Sequence, residues 1–91
     1  MQKYTKVYLI FFGYDTSDFI PCEICGCEAN DIHHINARGM GGSKLKDFIE
    51  NLMALCRACH DKYGDKVQYK IFLTEVHADK IKRHLEETEG A

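Results

Sequence analysis

Two Cys-x-x-Cys pairs constrain the fold of this chain more than any other feature. Cys22 and Cys25 form the first pair, Cys56 and Cys59 form the second, and the 30 residues 26–55 separate them. Two such pairs are typical of a tetrahedral zinc site, in which four thiolates leave no coordination position open for chemistry. The spacing predicts a structural zinc that ties the first pair to the start of a later helix. A redox dithiol is the lower-ranked interpretation.

A glycine and a fifth cysteine follow the first pair. Gly26 permits the tight backbone turn that lets two thiolates three positions apart converge on one ion. Cys27 could compete with Cys25 as a ligand. Because four ligands complete a tetrahedral site, we interpret Cys27 as a free thiol beside it.

Length and composition indicate one small globular domain. The 91 residues are 45% hydrophobic and 11% aromatic, and a fold of this size buries only about 60% of its unfolded surface. The odd cysteine count and the lack of a signal-peptide pattern favour an intracellular metal protein over a secreted disulfide scaffold. The longest apolar run, residues 7–12, is far shorter than the roughly 20 residues of a membrane span. We expect a soluble, cytoplasmic protein with no membrane partner.

The N-terminal segment is predicted to be a helix. Tyr4, Val7, Tyr8 and Phe11 have the spacing of one buried helix face, and Gly13 follows where a helix would end. A strand remains the alternative, because periodicity does not separate a short buried helix from a buried strand.

The middle of the chain predicts a strand, a loop, a second strand and a helix. Residues 31–35 suit a short strand, and the glycine-rich residues 38–43 form a loop. Residues 44–50 continue this loop or form one helical turn. The apolar run 52–55 predicts a second strand, antiparallel to the first, and residues 56–63 begin a helix.

The C-terminal region predicts a helix that is interrupted near residues 78–79. Four apolar residues share one helical face: Tyr69, Phe72, Leu73 and Val76. Ile81 and Leu85 drift off that face, which indicates the interruption. We interpret His77 and His84, which lie in this charged region, as surface histidines.

Four further polar residues are not needed by a four-cysteine site: His33, His34, Asn51 and His60. His60 directly follows Cys59, so a zinc site would fix its position. Neighbouring residues of a strand point to opposite faces. A shared site for His33 and His34 therefore requires a distorted strand or two separate roles.

These residues resemble the HNH endonucleases, whose ββα-metal motif carries histidine on the first strand, asparagine near the second and histidine at the start of the helix. The matching segments are Asp31-Ile32-His33-His34-Ile35, Glu50-Asn51-Leu52 and Cys56-Arg57-Ala58-Cys59-His60. The resemblance covers residues 22–63 and implies an α+β fold, a small ββα-metal core with zinc knuckles and flanking helices. Residues 1–91 would then be a single domain, with a helical lead-in at 1–20 and a helical region at 65–88.

The resemblance also implies a role for each residue in DNA hydrolysis. His34 would be the general base, and His33 and His60 would hold a catalytic divalent metal. Asn51 would brace the loop and orient His34. The products would carry a 5′ phosphate and a 3′ hydroxyl. Because the base must be neutral, activity is expected to fall below about pH 6.5.

One position departs from the family pattern. Members similar to the colicin nucleases carry a second histidine four residues after the first helix histidine, and this chain has Gly64 there. Asp31 or Asp61 could supplement the ligands. A site this sparse suits Mg²⁺ or Mn²⁺, which retain several waters.

Contacts with DNA are harder to predict than the metal sites. The candidate phosphate contacts are Arg38, Lys44, Lys46 and Arg57, and solvated surface charge is an equal alternative for each. The net charge of -2 lacks the basic excess of many DNA-binding domains, so recognition by shape or a targeting partner protein is expected. The alternative function is a non-catalytic, zinc-stabilised nucleic-acid-binding or adaptor module.

Overall fold

The computed structural model describes residues 3–36 and 47–89. The elements, in order, are α1 (Lys3–Phe12), β1 (Asp31–His34), β2 (Leu52–Leu55), α2 (Arg57–Tyr63) and α3 (Lys70–Glu89). Short 3₁₀ turns, Ile49–Asn51 and Val67–Tyr69, precede β2 and α3. Two antiparallel strands followed by a helix confirm the predicted α+β fold with a ββα core. Within the described ranges, no helix is both long and apolar enough to cross a membrane.

The N-terminal segment is helical, as predicted, and the strand alternative is wrong. Gly13 follows α1 with a φ of 74°, a left-handed conformation that commonly ends helices. Phe11 and Phe12 pack against His84 of α3, with ring centroids 5.3 and 5.1 Å away. His84 is therefore half-buried rather than the surface residue that we predicted.

β2 lies at the centre of the core and is buried on both faces. Leu52 and Ala54 pack against buried side chains of α1. Met53 and Leu55 pack against three of the four paired cysteines and against Leu73 of α3. Because successive side chains of a strand alternate between its faces, these four residues join two hydrophobic clusters.

The register of the sheet separates the two adjacent histidines. His33 lies opposite Met53, and His34 lies opposite Leu52. Residues paired across an antiparallel sheet share a face. His33 therefore lies on the face of the cysteine cluster, and His34 lies on the face of α1.

α3 continues through residues 78–79, so the predicted interruption is wrong. Leu73 packs with the cluster around the cysteines, whereas Ile81 packs with the cluster around α1. The apolar face drifts because one helix contacts two clusters in succession. Asp79 also forms an ion pair with Arg83 one turn later, which favours the helix at the predicted break.

His77 is 1% exposed, so the prediction of a surface position is wrong. Its Nδ1 lies 2.8 Å from Oε1 of Glu23, and its Nε2 donates to the carbonyl of Ile49 at 2.6 Å. The Tyr8 hydroxyl and the Ala54 amide donate to Oε2 of Glu23 at 2.7 and 3.1 Å. This buried polar network joins α1, the first cysteine pair, β2 and α3.

The network predicts that replacing His77 strongly destabilises the fold. His77→Ala should lower the free energy of unfolding by about 3–5 kcal/mol, because it leaves the buried Glu23 carboxylate without its partner. Lys82→Ala, at an exposed position of α3, is the control and should change it by less than about 0.5 kcal/mol. Urea denaturation of the zinc-loaded proteins measures both, and equal stabilities would contradict the prediction.

Candidate active site and metal centres

The four paired cysteines converge as their spacing predicted. Their Sγ atoms all lie within 4.8 Å of one another, and those of Cys25 and Cys56 are 3.5 Å apart. In a tetrahedral site with zinc–sulfur bonds of about 2.3 Å, the sulfurs are about 3.8 Å apart. The cluster can therefore hold a metal ion such as zinc.

Local backbone structure positions these thiols. Gly26 has a φ of 81° and donates its N–H to the carbonyl of Cys22 at 3.0 Å, which closes the predicted tight turn. Cys56 caps the start of α2, where its Sγ accepts from the N–H of Cys59 at 3.5 Å. Cys27 is exposed and lies outside the cluster, as expected for a free thiol.

Cys22 and Cys59 differ in acidity. Burial opposes ionisation of Cys22, but hydrogen bonds from the backbone of Cys25, Cys56 and Ile24 and from the Cys25 side chain outweigh it and lower the pKa of Cys22 to about 7. Burial is also the main cause that raises the pKa of Cys59, and hydrogen bonds with the other thiols add to it. Because a metal binds thiolates, binding must displace the proton that Cys59 otherwise retains.

A second cluster contains His33, His60 and Asp65, whose ligand atoms lie within 4.8 Å of one another. His33 is 5% exposed, and its Nε2 has no hydrogen-bond partner among the residues that the structure describes. Burial lowers the pKa of His33, which favours the neutral imidazole that metals bind. A buried nitrogen without a partner is costly, so this donor set fits a divalent cation.

Asp65 is the member of this cluster that sequence reasoning missed. The expected supplements, Asp31 and Asp61, do not belong to it. A Cβ at Gly64 would lie 2.6 Å from the carbonyl oxygen of His60 and 2.9 Å from its Cδ2, so a side chain at this position would displace His60. The next residue, Asp65, has a φ of 59°, a conformation that aspartate tolerates better than most residues. No sequence signal distinguishes this turn from an ordinary helix end.

His34 reaches the same cleft from the opposite face of β1. Its Nε2 lies 2.7 Å from Oδ1 of Asp47, and its ring packs edge-on against Tyr4 at a centroid distance of 4.6 Å. The cleft has a volume of about 510 Å³ and is lined by Asp31, Ile32, His33, His34, Arg57, His60 and Asp65. Both faces of β1 contribute to it. The two histidines thus have different surroundings at one cleft, and their separate roles stay a prediction.

Asn51 braces the chain just beyond His34. Its Oδ1 accepts from the N–H of Asn36 at 2.7 Å, and its Nδ2 donates to the carbonyl of Asn36 at 3.0 Å. Its own carbonyl accepts from the N–H of Ile35 at 2.9 Å. These contacts hold the backbone after β1, so they support an effect of Asn51 on His34 that passes through the main chain.

Arg57 is the candidate phosphate contact that lies at the cleft. Its side chain is 71% exposed and approaches Asp31 at 4.0 Å, a distance at which an exposed pair contributes little. Arg57 can therefore turn toward a ligand. The other three candidates, Arg38, Lys44 and Lys46, lie outside the described residues.

Comparison with known proteins supports the family resemblance. The family model for HNH endonuclease matches residues 22–66, which confirms the resemblance. The uncharacterized protein YdfU of Escherichia coli (strain K12) is 34% identical over 59 residues, which cover 53% of this chain and 17% of YdfU. The chain thus spans less than a fifth of that relative. No solved structure matches it significantly.

The thiol cluster predicts that replacing a paired cysteine disrupts metal binding and folding, whereas replacing the unpaired Cys27 does not. Cys59→Ser should abolish tight metal binding and unfold the domain or cost several kcal/mol, because metal binding and folding are coupled at such a site. Cys27→Ser is the matched control and should keep about one zinc per chain. Elemental analysis and circular dichroism measure both effects. A metal-free but folded wild type would contradict this prediction.

Proposed function

We propose that this protein, whose residues 22–66 match the family model for HNH endonuclease, is a metal-dependent endonuclease or nickase that hydrolyses DNA phosphodiester bonds. One observation carries the proposal. One strand, β1, carries His33 on one face and His34 on the other, beside one cleft. The buried Nε2 of His33 has no partner in the part of the chain that the structure describes, and His34 binds the carboxylate of Asp47. A nuclease of this type needs a metal ligand and a base close together. We propose that the segments 1–20 and 65–88, which contain α1 and most of α3, complete the same domain.

His34 acts as the general base in this proposal. Its neutral imidazole accepts a proton from the attacking water, whose oxygen forms a bond to phosphorus. The bond to the 3′ oxygen breaks, and this oxygen leaves with the electron pair and gains a proton from solvent. Asn51 keeps the backbone beyond His34 in place, and Arg57 binds a neighbouring phosphate.

His33, His60 and Asp65 would hold the catalytic metal, and Cys22, Cys25, Cys56 and Cys59 would hold a structural zinc. The catalytic ion would stabilise charge on the scissile phosphate and on the leaving oxygen. Two imidazoles and one carboxylate form a mixed nitrogen and oxygen donor set. Mn²⁺ accepts such a set more readily than Mg²⁺, which prefers oxygen ligands and water. Of the two cations expected, we therefore favour Mn²⁺.

The alternative is a non-catalytic nucleic-acid-binding or adaptor module. The net charge of -2 favours it, because weak attraction to DNA suits a domain that a partner delivers. The buried nitrogen of His33 favours the nuclease. Under either function we place the protein in the cytoplasm.

Plasmid cleavage distinguishes the two functions. Wild-type protein loaded with zinc should convert supercoiled DNA to nicked or linear DNA when Mn²⁺ or Mg²⁺ is added. His34→Ala should be slower by about 10²–10⁴-fold, the usual contribution of a general base. His84→Ala, which alters a histidine outside the cleft, is the control. Equal rates for His34→Ala and wild type would refute the role of His34, and an inactive wild type with every metal would favour the adaptor.

Replacing a proposed ligand of the catalytic metal should abolish cleavage without unfolding the domain. His60→Ala should weaken Mn²⁺ binding by at least about tenfold and abolish cleavage, because it removes one of three candidate ligands. It should keep the structural zinc and the circular dichroism spectrum of the wild type. Calorimetric titration with Mn²⁺ measures the affinity without relying on activity. Unchanged Mn²⁺ affinity would remove His60 from the metal site.

A further inference from the structure

We propose that Asp47 is a positioning residue for His34. Its carboxylate holds the imidazole in the tautomer protonated at Nε2, so that Nδ1 presents the lone pair that takes the proton from water. This inference rests on the proposed role of His34 as a base. It goes beyond that role because it names the reacting nitrogen and the group that selects it.

The hydrogen bond between the two side chains determines the tautomer. Nε2 of His34 lies 2.7 Å from Oδ1 of Asp47, and the two side chains are only 13% and 8% exposed. An ionised carboxylate only accepts hydrogen bonds, so the neutral imidazole must carry its proton on Nε2. Limited access of water strengthens this bond relative to a surface pair. Nδ1 is then the nitrogen with a free lone pair.

The position of Asp47 relative to the cleft agrees with this role. Among the described residues, His34 lines the cleft and Asp47 does not, so the carboxylate can hold the imidazole without itself lining the space that a substrate would occupy. The ring of Tyr4 packs edge-on against the imidazole, with an interplanar angle of 69°. The imidazole is therefore held by a hydrogen bond and by an aromatic contact.

The backbone that carries Asp47 is itself fixed. Residues 47–51, which we call the return segment, lead into β2. The carbonyl of Ile49 accepts from the buried His77, and the side chain of Asn51 pairs with the backbone of Asn36. The return segment thus holds the end of β1 at two points, through Asp47 at His34 and through Asn51 at Asn36. A carboxylate on so restrained a segment can select one orientation of the imidazole.

Asp47→Asn tests the proposal, because the amide keeps the shape of the side chain but removes the charge and can either donate or accept. Nitrogen-15 NMR of the imidazoles in the zinc-loaded protein reports the tautomer of His34 without any need for activity. The wild type should show protonated Nε2 and unprotonated Nδ1, and the variant should lose this single tautomer. Glu50→Gln, an exposed carboxylate in the return segment, is the matched control. Asp47→Ala provides a second variant if Asp47→Asn does not fold.

Cleavage kinetics provide the second measurement. Asp47→Asn should lower kcat by about 10–100-fold and leave KM within about twofold, since a misplaced base affects the chemical step more than substrate binding. A wild-type His34 protonated at Nδ1, or an Asp47→Asn enzyme with the wild-type kcat, would overturn the proposal. If even the wild type cleaves nothing, the proposed function fails, and the tautomer spectrum alone decides whether Asp47 positions His34.

Discussion

The buried carboxylate of Glu23 is the interaction on which the arrangement of the elements depends. Its side chain is fully buried, and Glu23 directly follows Cys22 of the thiol cluster. Its partners come from three elements, Tyr8 in α1, Ala54 in β2 and His77 in α3. Burial and the negative charge of Glu23 raise the pKa of Tyr8, which keeps the phenol as a hydrogen-bond donor. Removing any of these partners would lower the stability of the fold, because the buried carboxylate would lose a hydrogen bond. We infer that the network mainly selects one relative orientation of these elements.

This network reaches the cleft through His77. The imidazole that pairs with Glu23 uses its other nitrogen to bind the carbonyl of Ile49, in the return segment. That segment carries Asp47 and Asn51, which hold the end of β1. Hydrogen bonds and the backbone of the return segment therefore connect Glu23, within the first cysteine pair, to the proposed base.

Prediction from sequence succeeded where a local spacing carries the information and failed where partners are distant along the chain. The cysteine pairs, the short strands and the N-terminal helix follow from spacing, hydrophobic pattern and one glycine. The pairs His34–Asp47 and Glu23–His77 lie 13 and 54 residues apart, and nothing in the sequence indicates which carboxylate meets which histidine. The prediction of an interruption in α3 was wrong because it assumed that the apolar face of a helix contacts a single cluster. The position of Asp65 in the cluster with His33 and His60 depends on a left-handed turn that the sequence alone does not reveal.

The start of α2 couples the structural metal site to the proposed catalytic one. Cys59 and His60 are consecutive, and neighbouring residues of a helix point about 100° apart, so one side chain faces the thiol cluster while the other faces the cleft. A zinc ion that holds Cys59 would also fix the direction in which His60 points. Gly64, one turn later, leaves the space that the imidazole occupies. A histidine at this position would force His60 to move, and the third ligand that we propose is Asp65 instead. The glycine that departs from the family pattern thus leaves room for the ligand set that we propose for this chain.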